Sequence, residues 1–368
     1  KNKKEKKQKN LILREGDIDN RTGGGQDPEN MQMGSRIHRK IQRQMGSDYQ
    51  AEVPLKTEIV CDGFTLKIEG RADGLIHTKE QVMVDEIKGV LRELDRVQEP
   101  AGIHLAQAKC YASMVAEQEG VDEIGVQMTY CQMETEEVKR FQYSYQSNEL
   151  KAWFDEVIRQ YEKWAKFQIE WRKARNASIK GIEFPFPYRK GQRELAVSVY
   201  RTILRQKKLF IQAPTGVGKT ISTVFPAVKA VGEELGEKIF YLTAKTITRT
   251  VAEQAFETLR EQNLKFKVIT LTAKEKICFC EETSCNPDDC PYAKGHFDRV
   301  NDAVYELLMQ EDVMSREVLE AQARKHKVCP FEMALDVSTW VDGVICDYNY
   351  VFDPDARLRR FFAEGGAG

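Results

Sequence analysis

The amino-acid sequence lacks the two features that direct a chain into or across a membrane. No stretch of about 18 uncharged apolar residues is present, which argues against a transmembrane helix. No charged start leads into an apolar run, so no secretory signal can be read. An excess of charge of one sign is also lacking, because 56 basic and 57 acidic residues leave a net charge of -1. We therefore expect a cytoplasmic protein without a membrane partner, whose affinity for DNA, if any, comes from local patches.

The length and the hydrophobic content indicate more than one globular domain. The chain has 368 residues, of which 41% are hydrophobic, and this exceeds the size of one ordinary core. Residues 15–30 have almost nothing apolar to bury, so we expect a mobile N-terminal segment. The expected segments are a basic and polar stretch at 1–30, a small α/β domain at 31–147, an amphipathic helical linker at 148–180 and a second α/β domain at 181–368.

Apolar periodicity predicts the strands of both domains. Alternation over residues 51–90 predicts strands of the first domain. In the second domain the run LFIQAP at 209–214 predicts a buried strand before a glycine-rich turn, and KIFYLTA at 238–244 predicts another strand one helix later. Strand–helix–strand order implies a parallel sheet in this domain.

Two acidic residues and a lysine form the first candidate site. A hairpin centred between Lys79 and Glu80 places Asp73 opposite Glu86, about 5 Å away. Lys88 lies two residues beyond Glu86 and hence on the same face of its strand. Two carboxylates with an adjacent cation suit Mg²⁺ or Mn²⁺ bound to a scissile phosphate. The alternative is a surface hairpin with a cross-strand ion pair.

Four short motifs of the first domain resemble, in order and spacing, the RecB-like branch of the PD-(D/E)XK nucleases. They are GSRIHRKI at 34–41, GRAD at 70–73, VDEIKG at 84–89 and QAKCY at 107–111. The resemblance implies a restriction-endonuclease-like α/β fold. The residues that it implies are His38, Asp73 and Glu86 as metal ligands, Lys88 as the catalytic cation, and Gln107 and Tyr111 on the DNA side.

Taken alone, the peripheral residues of this set have ordinary interpretations. His38 would be a surface histidine, and Gln107 and Tyr111 would be ordinary helix residues without a functional role. Several of the similar nucleases also hold a cysteine-bound cluster in this domain. The scattered cysteines Cys61, Cys110 and Cys131 do not supply that pattern, so we expect no metal cluster in the first domain.

A phosphate-binding loop is the candidate site of the second domain. Residues 213–220, APTGVGKT, stand between the run at 209–212 and the apolar segment ISTVFPAVKAV. The N–H groups of such a loop point at phosphates, while its lysine reaches the terminal phosphates and its hydroxyl holds Mg²⁺. A turn without a ligand is the alternative. The expected ATP-binding residues are Pro214, Thr215, Gly216, Val217, Gly218, Lys219 and Thr220.

Motifs around this loop resemble those of superfamily-two helicases, in particular XPD and DinG. Ala213 stands where kinases and small GTPases have glycine. FPYRKGQ resembles the adenine-recognising motif, which implies that Gln192 reads the base. YLTAKT resembles the next motif, which implies that Lys245 and Thr246 contact the DNA backbone. The resemblance implies a RecA-like domain with a parallel sheet. A solvated lysine is the alternative for Lys245.

Cysteines crowd one region of the second domain, which in a reducing compartment favours metal binding over disulfides. Those expected as ligands are Cys278, Cys285, Cys290 and Cys329, separated by 6, 4 and 38 residues. The paired knuckles of a zinc finger are absent. The irregular spacing with a late Cys-Pro resembles the iron–sulfur insertion of XPD and DinG, which implies a [4Fe-4S] cluster in a helical insertion at about 273–335. Cys280 is an alternative to Cys278, and zinc and unliganded thiols are alternatives to the cluster.

The last segment resembles the strand and loop that precede the acidic DEAH motif of these helicases. VDGVICDYNYVFDP at 341–354 carries the resemblance, but no DEAH motif follows it. We therefore expect a chain truncated before that motif, which binds ATP weakly and does not hydrolyse it, because water activation and the second motor lobe are required for turnover.

These patterns together indicate a metal-dependent DNA nuclease coupled to an ATP-dependent DNA helicase. If the motor follows its relatives, it unwinds with 5′ to 3′ polarity, in DNA repair or processing, on DNA with a single-stranded portion. One alternative is a catalytically idle nuclease fold that positions single-stranded DNA for the motor. Another is an ATP-gated scaffold whose cysteine region recruits a protein partner.

Overall fold

The computed structural model describes residues 12–21, 28–214, 216, 218–244, 246–353 and 358–362. By its internal contacts the chain divides into two compact units, Lys1–Lys166 and Phe167–Gly368. Most of the N-terminal segment expected to be mobile, 1–30, lies outside the described residues. Among the helices that are described, none has the length and apolar content needed to span a membrane.

The first unit is built on a five-stranded mixed sheet with the order β1-β2-β3-β4-β5. Strands β3 and β4 are parallel and are joined through a helix, whereas the other neighbours are antiparallel. The elements are α1 (Pro28–Gln44), β1 (Tyr49–Cys61), β2 (Phe64–His77), β3 (Val82–Val90), a 3-10 turn (Leu94–Arg96), α2 (Gly102–Glu119), β4 (Glu123–Gln132), β5 (Val138–Gln146) and the first part of α3 (Ser147–Lys180).

The β2–β3 hairpin forms in the register that the sequence predicts. Its ladder runs from His77 opposite Val82 to Gly74 opposite Asp85, which corresponds to a turn centred between residues 79 and 80. Leu75 and Val84 form one of the pairs, and both are buried. A slip of one residue would move these side chains to the other face of the sheet, so their burial fixes the register.

Helices cover both faces of this sheet, and this decides where the candidate site opens. Ile37 and Ile41 of α1 pack with Ile87 of β3 in one cluster. Ala112 of α2 packs with Val126 of β4 in a separate cluster. Because successive residues of a strand point to opposite faces, the two neighbours of Ile87 in β3 point toward α2.

The second unit contains a four-stranded sheet with the order β6-β9-β7-β8, in which all neighbours are parallel, as predicted. The elements are the end of α3, α4 (Gln192–Leu204), α5 (Lys219–Gly232), β6 (Ile239–Thr243), α6 (Thr246–Arg260), β7 (Val268–Thr270), α7 (Lys274–Ile277), α8 (His296–Gln310), β8 (Val313–Met314), α9 (Arg316–His326), α10 (Pro330–Trp340), β9 (Gly343–Asp347), α11 (Asn349–Phe352) and α12 (Arg359–Phe362). The expected insertion at 273–335 is mainly helical, but β8 within it joins the sheet.

The apolar run at 209–214 does not form the predicted buried strand. No strand is assigned to these residues, and Phe210 is 93% exposed. An apolar run becomes a buried strand only where neighbouring strands satisfy its backbone groups. None of the strands in the described ranges pairs with this run. The prediction is therefore wrong, because sequence shows the apolar character of a segment and not whether a neighbour covers it.

A buried carboxylate fastens the end of α3 to the second sheet. Asp342, which directly precedes β9, is 3% exposed. It accepts hydrogen bonds from the Arg175 guanidinium at 2.7 Å, the Trp171 indole at 2.8 Å and the Lys267 backbone N–H at 2.8 Å. A buried charge with this many donors is well compensated, so the last turns of α3 pack with the second unit.

We expect Gly74→Ala to destabilise the first unit. A Cβ at Gly74 would overlap the ring of Tyr49, whose hydroxyl donates to the buried Asp85 carboxylate at 2.8 Å. Crowding of this kind costs about 1–3 kcal/mol of unfolding free energy, which denaturant unfolding of the full chain would measure. At Gly46 a Cβ would meet nothing within 4 Å, so Gly46→Ala is the control. Equal stability of the two variants would contradict the packing described.

Candidate metal centre, nucleotide-binding loop and cysteine cluster

The first candidate site lies where β2 and β3 stop pairing. Their ladder ends with Gly74 opposite Asp85. At the next position the Asp73 side chain accepts a hydrogen bond from the Ile87 backbone N–H at 2.7 Å. A side-chain oxygen therefore satisfies a backbone donor that a ladder would otherwise satisfy. This hydrogen bond holds the Asp73 carboxylate at the opening between β2 and β3.

Glu86 and Lys88 lie on the face of β3 that points toward α2. Lys88 Nζ is 2.9 Å from Glu86 Oε1 and 3.4 Å from Gln107 Oε1. The Gln107 amide in turn donates to the Tyr111 hydroxyl at 3.0 Å. A Cβ at Gly70 would overlap the Tyr111 ring, so the glycine of the GRAD motif provides room for it. The structure thus brings together the residues expected on the metal side and on the DNA side.

His38 completes the group from α1. Its Nδ1 is 3.4 Å from Asp73 Oδ1. Gln42, one helical turn later, donates to the Asp73 backbone carbonyl at 2.8 Å. Sequence reasoning missed Gln42, although its spacing of four residues from His38 puts both on one face of the helix. Asp73 is therefore held through its side chain and its backbone.

Burial dominates the electrostatics of this site. Glu86 is 3% exposed, and its Oε2 has no hydrogen-bond partner. Burial raises the pKa of Glu86 to about 7; Lys88 opposes this rise and Asp73 adds to it. Burial also acts to lower the pKa of Lys88, but Glu86, Asp73 and Tyr111 together outweigh it, and the net shift is upward. A positive charge near Oε2 would stabilise the ionised carboxylate.

The donor set fits a hard divalent cation. Two carboxylates, one of them with a buried and unpartnered oxygen, are ligands that Mg²⁺ and Mn²⁺ accept, and the imidazole nitrogen of His38 suits the transition metal Mn²⁺ better than Mg²⁺. In the ranges that the structure describes, no group of three or more His, Cys, Asp or Glu side chains is placed so that it could hold a metal ion. Ile87 and Lys88 each engage one oxygen, on Asp73 and Glu86 respectively. Asp73 Oδ1 and Glu86 Oε2 are the oxygens that those two donors leave for a cation.

Asp85, the neighbour of Glu86, is a buried carboxylate of a different kind, which sequence reasoning did not distinguish. It is fully buried and accepts hydrogen bonds from the Tyr49 hydroxyl at 2.8 Å, the Thr129 hydroxyl at 2.6 Å and the Gln127 amide at 3.1 Å. These donors come from β1 and β4, so Asp85 ties β3 to its surroundings. Its hydrogen bonds are satisfied within the protein, which indicates a structural role.

Part of the phosphate-binding loop of the second unit lies in the described residues. Gly216 and Gly218 have left-handed φ values of 81° and 69°, which glycine adopts without strain, and α5 begins at Lys219. Lys219 Nζ donates to the Ala213 carbonyl at 2.9 Å, and Thr220 Oγ1 is 3.4 Å from the Tyr241 hydroxyl. Pro214 is exposed. Thr215 and Val217 lie outside the described residues.

Gln192 packs directly behind this loop. It is buried, and a Cβ at Gly218 would overlap its amide nitrogen. Its Oε1 accepts from the Arg189 backbone N–H at 2.8 Å, and the Arg189 guanidinium donates to the Gly216 carbonyl at 3.1 Å. Arg189 belongs to the FPYRKGQ motif, but sequence reasoning gave it no role. Of the expected DNA contacts, Lys245 and the side chain of Thr246 lie outside the described residues.

Several of the crowded cysteines are near neighbours in space. Cys280 Sγ is 3.7 Å from Cys290 Sγ. Burial raises the pKa of the Cys280 thiol to about 11, and Cys290 and Cys278 add to the shift. Burial likewise raises the pKa of the Cys329 thiol to about 12, with a further contribution from Cys285. Cys280, which spacing left as an alternative ligand, is therefore in contact with one of the expected ligands and close to another.

Two family models match this chain. Residues 193–279 match the family described as DEAD/DEAH box helicase, and residues 243–362 match the family DEAD_2. Regulator of telomere elongation helicase 1 of Homo sapiens is 21% identical over 228 residues, which cover 48% of this chain and 18% of that protein. A probable ATP-dependent helicase of Methanocaldococcus jannaschii is 31% identical over 121 residues, which cover 32% of this chain and 18% of that protein.

A solved structure of an XPD helicase is 17% identical, with a TM-score of 0.31, and the match covers 46% of this chain and 29% of that chain. The matched segments span less than a fifth of the length of the two curated relatives. Both family matches lie in the second unit. That unit is therefore similar to DEAD/DEAH box helicases.

Proposed function

We propose that this protein couples a metal-dependent DNA nuclease, in its first unit, to an ATP-dependent DNA helicase motor, in its second. The observation that carries the nuclease half is a buried Glu86 oxygen that has no partner, on a carboxylate that Lys88 contacts and that Asp73 and His38 influence electrostatically. A surface hairpin with an ion pair would leave these carboxylates in water. At 3% exposure Glu86 does not fit that alternative.

Each residue of the site has a chemical part in the proposed reaction. His38, Asp73 and Glu86 would hold the divalent cation, which when bound supplies an activated water and offsets phosphate charge. Lys88, kept in place by Glu86 at 2.9 Å, carries a positive charge suited to the charge that develops on the phosphate. Its hydrogen bond to Gln107 links it to the side where the DNA strand would lie.

The helicase half of the proposal is supported by the two family matches and by the loop between Ala213 and Thr220. The loop would bind the phosphates of ATP, and Gln192 would recognise its base. By the resemblance to XPD and DinG, the motor would move 5′ to 3′ on DNA with a single-stranded portion. Repair or processing of DNA is the setting that fits a nuclease joined to such a motor.

We expect the full chain to cut labelled DNA with Mn²⁺ or Mg²⁺ and without ATP, because the proposed metal site uses residues of the first unit alone. Glu86→Ala and Lys88→Ala should each lower the rate at least about 100-fold, the loss typical when a group that stabilises developing charge is removed. Lys56→Ala, an exposed lysine of β1, is the control. Single-stranded and duplex substrates should be compared in a gel assay.

Equal, slow cutting by the wild type and by both variants would indicate a contaminating activity. The first unit would then be an idle nuclease fold, and retained binding of single-stranded DNA would identify it as a binding module for the motor.

We expect calorimetry to detect ATP binding that depends on Lys219. Loss of a hydrogen bond from a charged group costs about 1.5–3 kcal/mol, so Lys219→Ala should weaken binding roughly 10-fold or more. Lys208→Ala removes an exposed lysine upstream of the loop and should leave the affinity unchanged. Identical affinities for both variants would show that the loop does not hold the nucleotide.

We further propose a [4Fe-4S] cluster on the cysteines of the second unit, in which Cys280 replaces Cys278 beside Cys285, Cys290 and Cys329. The 3.7 Å separation of the Cys280 and Cys290 sulfur atoms favours this choice. Four thiolates suffice for one cubane cluster, which also supplies the positive charge that a group of partly buried thiolates lacks.

Anaerobically purified protein should contain about four iron and four sulfide per chain. Cys280→Ser and Cys329→Ser should lose most of the iron, whereas Cys278→Ser and the control Cys61→Ser should retain it. Iron loss in Cys278→Ser with retention in Cys280→Ser would reverse the assignment. One equivalent of zinc without iron would exclude the cluster.

A further inference from the structure

Helix α1 presents three different faces, and only two of them are used by the fold and the metal centre. Ile37 and Ile41 are buried against the sheet. His38 and Gln42 reach Asp73 from the next face. At 3.6 residues per turn, the remaining face carries four exposed cations, which we call the basic stripe. Its members are Arg36, Arg39, Lys40 and Arg43.

The basic stripe keeps most of its positive charge. Glu136 contacts Lys40 and lies 3.8 Å from Arg36, so one carboxylate offsets one of four cations. For Arg39 and Arg43, the described residues offer no carboxylate within ion-pair distance; Arg39 Nε donates to the Ser35 carbonyl at 3.3 Å.

The surroundings of the basic stripe add further cations and few anions. Glu52, near Gln42 at 3.0 Å, is itself paired with Arg71 at 3.3 Å. Arg140 of β5 is exposed and lies 3.9 Å from Met45, just beyond the end of α1. In a chain whose net charge is -1, a face of this kind is a segregated positive patch.

The position of the basic stripe relates it to the candidate metal centre. Gln42 stands between Arg39 and Arg43 in the sequence and also bonds the Asp73 carbonyl, so the stripe borders the face that approaches the carboxylates. From residue 36 to residue 43 the helix rises about 10 Å, which matches roughly three phosphates of one DNA strand. A polyanion lying along the stripe would therefore pass beside His38 and Asp73.

We propose that the basic stripe of α1 binds the sugar–phosphate backbone of the DNA strand that is delivered to the carboxylate–lysine site. The proposal rests on the nuclease function proposed above for the same unit, and it names the surface that holds the substrate. Arginine and lysine contacts to phosphate fix the path of a strand without reading its sequence. The stripe positions the DNA, while the metal centre acts on it.

The test uses the full chain, a fluorescent single-stranded oligonucleotide, and EDTA to prevent cleavage during binding. Arg39→Gln with Arg43→Gln should weaken binding roughly 10-fold and reduce the slope of log affinity against log salt by about 1.4, since each lost contact to single-stranded DNA removes about 0.7. Lys56→Gln with Lys79→Gln removes the same charge from exposed positions of β1 and the β2–β3 turn, and should leave both values unchanged.

Cleavage kinetics with Mn²⁺ separate this inference from the proposed nuclease function. The Arg39 and Arg43 double variant should raise KM for DNA roughly 10-fold and keep kcat within about twofold, because the stripe touches no reacting atom. If the double variant cleaves DNA with unchanged KM and salt slope, the basic stripe does not bind the substrate. It would then be a solvated face or a binding site for an acidic protein. If the wild type does not cleave DNA but the double variant still shows a reduced salt slope, the stripe binds DNA and the proposed nuclease function is wrong.

Discussion

The hydrogen bond from the Ile87 N–H to the Asp73 carboxylate is the constraint on which the first unit's site depends. It forms at the first position beyond the β2–β3 ladder, at 2.7 Å. Ile87 is anchored by α1 on one face of the sheet, so Glu86 and Lys88 must point to the other. The bond thus lies where the strands part, and the packing of Ile87 decides which side chains line the opening.

Two adjacent carboxylates on β3 show how burial separates structural from chemical roles. Asp85 is buried with three side-chain donors, and its charge is satisfied inside the protein. Glu86 is buried with one donor, Lys88, and one oxygen without a partner. An uncompensated buried carboxylate costs stability. The fold has such an uncompensated carboxylate at Glu86 and compensates the neighbouring Asp85 fully. This is the pattern expected where a bound ligand compensates Glu86.

The sequence allowed local features to be predicted and left tertiary ones open. The hairpin register could be predicted from apolar alternation and a polar turn. The position of Lys88 on the same strand face as Glu86 could be predicted from their spacing of two residues. Gln42 was missed although its spacing from His38 puts both on one helix face, whereas the donors to Asp85 could not be found this way, because they come from β1 and β4, which are distant from it in sequence. The run at 209–214 has the apolar character of a buried strand, yet burial depends on neighbours that sequence does not reveal. Spacing predicted Cys278 as a ligand with Cys280 as its alternative, and the contact between Cys280 and Cys290 could not be read from spacing.

The basic residues of α1 are likewise placed by the packing of the helix. The chain is nearly neutral, and composition alone gives no reason to expect a surface for a polyanion. Helical periodicity nevertheless sorts the residues of one helix so that isoleucines face the core, His38 and Gln42 face Asp73, and the cations face solvent. The core-facing residues fix the rotation of the helix about its axis. The packing of α1 on the sheet therefore also decides that the basic stripe lies beside the helix face that contacts Asp73.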